Sequence, residues 1–127
     1  MNAHEISLQI LVGQTLKSVV VSDNKESITF TTLSGEQFRL EHHQYCCENV
    51  QIESIVGDLE DLIGAPILKA EQSSGETPAD YKFDYEPESY TWTFYKFATL
   101  AGYVDIRWLG ESNGYYSEEV SFFKLTD

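Results

Sequence analysis

Two histidines, two cysteines and a glutamate stand within seven residues: His42, His43, Cys46, Cys47 and Glu48. Imidazole and thiolate are the donors that zinc prefers. The spacing works against a shared ion, because adjacent side chains on a strand point to opposite faces. His42 then does not converge with His43, nor Cys46 with Cys47, and a distant ligand such as His4 would be needed. The competing account is a buried cysteine packed as a small apolar group among polar neighbours at a strand end. The two cysteines are expected to stay unbridged, since a trans peptide gives neighbours poor disulfide geometry. A cysteine nucleophile is disfavoured, because nothing local resembles an elbow or an oxyanion turn. Apart from zinc at this cluster, no cofactor is expected. Asp58, Glu60 and Asp61 are explained by helix capping and dipole complementarity without a cation.

A second set of residues suits stacking. Tyr90 and Trp92 offer aromatic faces to a nucleobase, Arg107 suits a phosphate and Asn113 a base edge, with Tyr115 and Tyr116 beside them. The bland alternative is sheet core and an interface between subunits. In that account Arg107 pairs across strands with Glu119, and Ser112-Asn113-Gly114 is what a tight turn demands.

The elements that must position these residues are mostly strands. Ile6, Ile10 and Leu11 predict a short helix over residues 4–12, stopped by Gly13. Strands are expected over 16–21, 27–33 and 37–43, joined by polar turns into a meander. A further strand over 50–55 leads to one or two helical turns at G-D-L-E-D-L-I-G, capped by Asp58, and a short strand follows over 67–71. Residues 72–87, rich in serine, glycine and proline, read as a long mobile loop.

Residues 89–123 hold both tryptophans and most of the other aromatics. A hairpin turning at Ala101-Gly102 puts Phe97 opposite Ile106 and Tyr95 opposite Trp108, with Tyr95, Phe97, Val104, Ile106 and Trp108 on one face. A second turn at Ser112-Asn113-Gly114 sets Ile106 against Val120, Val104 against Phe122 and Arg107 against Glu119. Tyr90, Trp92, Phe94, Tyr103 and Leu109 occupy the other face. They need a cover, supplied by this chain or by a second copy in a homodimer. The expected fold class is α+β, mostly antiparallel β-sheet meanders with a short N-terminal helix and a short central helix.

The 127 residues fit a single domain, 1–127. Net charge is −13, which repels a polyphosphate backbone and disfavours direct nucleic-acid binding. It suits either plain solubility or a partner with a basic surface. No apolar run approaches the ~20 residues that span a bilayer, and the N-terminus has no basic region of the signal-peptide kind. A cytoplasmic protein that makes no membrane contact is expected.

The segments H-H-Q-Y-C-C-E, G-D-L-E-D-L-I-G-A-P, E-S-Y-T-W-T-F-Y and I-R-W-L-G-E-S-N-G-Y-Y-S, in this order, resemble a family of small uncharacterised phage and prophage proteins, a domain of unknown function. The resemblance implies a phage origin, a host-cell cytoplasmic location, and no catalytic residues to carry over. By analogy with small acidic phage proteins, the expected function is non-enzymatic: an inhibitor of a host defence protein that binds its basic surface by mimicking nucleic acid. The alternative is a protein that sequesters a nucleotide signal. A metal-dependent enzyme ranks third.

Overall fold

The computed structural model describes residues 5–125. Eight strands form two four-stranded antiparallel sheets. In the first sheet β1 (Leu16–Val21), β2 (Ser27–Thr32) and β3 (Gln37–Glu41) form the expected meander, and β8 (Ser121–Lys124) lies beside β3. In the second sheet the order is β4 (Asn49–Val56), β7 (Gly102–Ser112), β6 (Ser89–Thr99), β5 (Lys69–Gly75).

The sheets face each other across one apolar core. Ile28, Phe30, Phe38, Leu40 and Phe122 project from the first sheet. Val50, Ile52, Tyr95, Phe97, Val104, Ile106 and Trp108 project from the second. Phe30 and Phe97 meet across the gap with ring centroids 5.3 Å apart. The alternation of apolar and polar residues along each strand produces this, because successive side chains take opposite faces.

The expected α+β class is therefore wrong: the described residues form an all-β protein whose only helical elements are two four-residue 3-10 turns. The first, Leu8–Leu11, replaces the expected N-terminal helix. Its buried residues are Leu8 and Leu11 while Ile10 is exposed, a three-residue spacing that a single 3-10 turn satisfies. The second, Leu59–Leu62, replaces the central helix. Asp58 caps it as expected, its Oδ1 accepting the Glu60 amide at 2.9 Å, but four residues are too few for an α-helix to repay its nucleation.

Two pairings also differ from expectation. The β6–β7 hairpin turns at Leu100-Ala101, so Phe97 faces Val104 and Tyr95 faces Ile106. This shifts the register by two residues, one full side-chain period, so every residue keeps its face. The strand β8 does not pair with β7. It pairs with β3, setting Phe122 against Leu40, while β4 takes the place beside β7 and sets Ile52 against Trp108. The chain thus crosses between sheets twice, through residues 42–48 and 113–120. Gly110 faces the second crossing at a distance that admits no side chain, since a Cβ there would lie 2.7 Å from the Glu118 carbonyl oxygen. Glu118 itself is buried and accepts hydrogen bonds from the hydroxyls of Thr91 and Ser112.

Two core positions are imperfectly matched among the described residues, the Trp108 indole N–H and the Tyr95 hydroxyl. The Tyr95 hydroxyl is buried with no hydrogen-bond partner among the described residues, and burial pushes its titration above the usual tyrosine range. An unpaired buried hydroxyl costs about 1–3 kcal/mol. Tyr95→Phe is expected to leave the fold unchanged and to raise the chemical-denaturation midpoint; a lowered midpoint would show that the hydroxyl has a partner.

Candidate functional site

The outer face of the second sheet carries the aromatic residues that the sequence left without a cover. Its central pairs are Trp92 with Leu109 and Phe94 with Arg107. This chain itself covers Trp92 and Leu109, while Phe94 stays partly exposed and Tyr103 is exposed. The strand β5 runs through the expected short strand and takes up residues 72–75 of the expected loop, and residues 76–88 fold back over the face as a lid. Tyr81 meets the Trp92 ring edge-on at 4.9 Å, and Phe83 packs on Tyr90 at 4.9 Å and on Tyr81 at 5.0 Å. The Trp92 indole N–H donates to the Thr77 hydroxyl at 3.0 Å. Trp92 is left 1% exposed, so no second copy of the chain is needed to bury it.

Arg107 pins the lid electrostatically. Its Nε donates to Glu53 Oε1 at 2.5 Å and its NH1 group to Asp80 Oδ1 at 3.0 Å. The expected partner Glu119 is elsewhere, its carbonyl accepting from His42. Glu53 reaches Arg107 from an irregularity in β4 that adds one residue between Ile52 and Ser54. The guanidinium also lies over the Trp92 ring, 5.5 Å from its centroid. The hydrogen bond to Glu53 outweighs burial and, with Asp80, raises the Arg107 pKa further. Tyr81 is pushed above the ordinary tyrosine range by burial and by the carboxylates of Glu111, Glu53 and Asp84.

The six stacking candidates thus divide. Tyr90, Trp92 and Arg107 come together beneath the lid. Asn113, Tyr115 and Tyr116 sit in the crossing loop after β7, where Asn113 Oδ1 accepts the Tyr115 amide at 2.9 Å in a local turn. There Tyr116 packs on Tyr45 at 5.7 Å and on Tyr115 at 5.1 Å.

The zinc candidates divide as well. His42 is buried, and its Nε2 lies 2.7 Å from Glu48 Oε2. His43 is turned outward and stacks on Phe123 at 5.3 Å. Cys46 and Cys47 are joined in a disulfide, against expectation. They occupy a bend and not a strand, so the alternation that should have separated their side chains does not operate there. A disulfide leaves neither sulfur as a thiolate donor. Among the described residues no three His, Cys, Asp or Glu side chains converge as a metal-holding group; His4 lies outside them. No helix among them is long and apolar enough to cross a membrane.

Beside the lid lies a cavity of about 920 Å³, lined among others by Phe94, Lys96, Asp105 and Arg107 of β6 and β7, with Lys69 and Glu71 of β5. None of the lining residues except Arg107 was singled out as a site in the sequence. The lid did carry a signal. Tyr81, Phe83 and Tyr85 recur at every second residue, a strand-like alternation within a segment otherwise typical of a loop.

The family described as Domain of unknown function (DUF7448) matches residues 9–122. No curated protein and no solved structure matches the chain.

Proposed function

Since the chain belongs to the DUF7448 family, a domain of unknown function, we propose from its geometry that it is a non-enzymatic acidic binding protein. In this reading it is phage-encoded, works in the host-cell cytoplasm and inhibits a host defence protein by occupying a basic surface, as a nucleic acid would. The observation that carries the reading is the lid. Residues 76–88 hold five carboxylates, Glu76, Asp80, Asp84, Glu86 and Glu88, against one Lys82. The segment is clamped by Tyr81, Phe83 and Thr77, so ordering its backbone on binding costs little. Glu53 and Glu111 extend the same negative potential beneath it. Fixed charge of one sign steers a partner of the opposite sign and rejects others.

The test is capture from host lysate by the wild-type protein and by a variant with Asp84, Glu86 and Glu88 changed to Asn, Gln and Gln. All three side chains are exposed, so the fold is expected to survive. The wild type should retain a host protein at about 0.05 M salt and release it by about 0.5 M, as surface electrostatics are screened. The variant should retain none. Equal capture by the two proteins, or capture indifferent to salt, would overturn the reading.

A further inference from the structure

We propose that the cavity beside the lid binds a mononucleotide, an inference that goes beyond the protein-binding reading and does not depend on it. The cavity lies open over Phe94 because β5, the edge strand paired with β6, carries small residues beside it. Ser73 pairs with Phe94 and Gly75 with Trp92, so nothing large covers Phe94 from that side and its ring stays partly exposed. A volume of about 920 Å³ falls within the range of small-molecule sites. An open aromatic ring at such a site suits a nucleobase, since every base has a stacking face.

The charges fit the rest of a nucleotide. Three of the chain's eight lysines and arginines line this one cavity: Lys69, Lys96 and Arg107. Their partnerships differ in strength. Lys69 and Glu71 stand 3.9 Å apart and Lys96 and Asp105 3.7 Å apart, all of them substantially exposed. Such pairs contribute little and exchange readily for a phosphate. Arg107 is held firmly by Glu53 from below, but its other partner, Asp80, has a 75% exposed side chain carried on the lid. Asp80 therefore occupies the place on the guanidinium that a phosphate would take. Glu71 and Asp105, released from their lysines, are acceptors for the amino groups of a base. The net charge of −13 repels a polynucleotide more than a single nucleotide.

The experiment is calorimetric titration of the whole chain with adenosine and guanosine 5′-monophosphates, the two nucleosides, inorganic phosphate and a short oligonucleotide. At least one monophosphate should bind, with the matching nucleoside and phosphate each about tenfold weaker or more. Phe94→Ala should weaken that binding about tenfold by loss of stacking. Asp80→Asn should tighten it, because the competing carboxylate is gone; damage to the fold would not produce this gain, so the variant decides the matter even if Phe94→Ala folds poorly. The proposal is overturned if no monophosphate binds at millimolar concentration, if the oligonucleotide binds more tightly, or if Asp80→Asn leaves affinity unchanged or lowers it.

Discussion

Trp92→Ala is expected to destabilise the protein by about 3–5 kcal/mol and to release the lid. Trp92 is buried although it lies on the face of the sheet turned away from the main core. Its ring holds together groups that have little else in common. Tyr81 and Phe83 pack on it from the lid, Phe94 stacks on it at 6.4 Å along β6, and the Arg107 guanidinium lies above it. Its N–H anchors Thr77 near the start of the lid. Truncation leaves a void that the sheet cannot close, because the strand backbone is fixed by pairing on both sides. The lid has no backbone ladder of its own to fall back on, so its order depends on these side chains. Two measurements separate the effects. Chemical denaturation reads the loss of stability, and trypsin reads the lid, since exposed Lys82 is the one basic residue within 76–88. Cleavage after Lys82 should be much faster in the variant under conditions where the sheets remain folded. Trp92→Phe keeps an aromatic ring and loses the hydrogen bond to Thr77, so its bond-related cost should be smaller, about 0.5–1.5 kcal/mol. A wild-type midpoint and an unchanged cleavage rate in Trp92→Ala would show that the lid is held by something else.

The sequence is informative wherever the relevant physics is local. Strand identity in β1, β2 and β3 follows from β-branched runs and two-residue alternation bounded by polar turns. The inner face of β6 and β7 follows from the same period, and survives a hairpin misplaced by two residues because two residues restore the side chain to its face. Alternation names a face and not a neighbour, however. Nothing near Phe122 says that it will oppose Leu40 and not Val104. That choice is made by the two crossings, where His42 meets a carbonyl 77 positions away. The site was hidden for the same reason. Arg107 was legible as a candidate cation, yet its partners lie 54 and 27 positions away. The 3-10 turns differ from the expected helices for another cause: apolar residues spaced by three serve a 3-10 turn as well as an α-helix, and only length distinguishes them. The lid carries opposed local signals, the serine and glycine before it and the prolines within it favouring a loop and its alternating aromatics favouring packing.

Glu48→Gln is the second large effect expected, and it shows itself in the response to acid. The buried pair His42–Glu48 sits where both crossings leave the first sheet. Each nitrogen of the His42 ring faces an acceptor: Nδ1 lies 2.7 Å from the Glu119 carbonyl oxygen and Nε2 2.7 Å from Glu48 Oε2. The ring thereby ties the crossing at 42–48 to the one at 113–120. Glu48 also accepts the amides of Tyr45 at 2.8 Å and Cys46 at 3.0 Å, which shapes the first crossing from within. Burial pushes the Glu48 carboxyl upward, but the bonds from His42, Cys46 and Tyr45 outweigh it and hold it at about 2, against an ordinary 4.5. The folded state thus releases this proton more readily than the unfolded chain. Its contribution to stability is complete above pH 4.5 and is lost progressively as the pH falls toward 2. Glutamine preserves the size of the side chain but has one oxygen where three donors converge, and its amide group meets another donor. The variant should be less stable at neutral pH, and its denaturation midpoint should change less between pH 4.5 and pH 2 than that of the wild type. The difference in slope matters more than the drop at neutral pH, because any disturbance of a buried pair lowers stability, whereas only removal of this titrating group flattens the acid limb. A variant that loses stability at pH 7 but keeps the wild-type acid slope would place the acid sensitivity on another carboxylate and leave the His42–Glu48 pair a purely geometric tie.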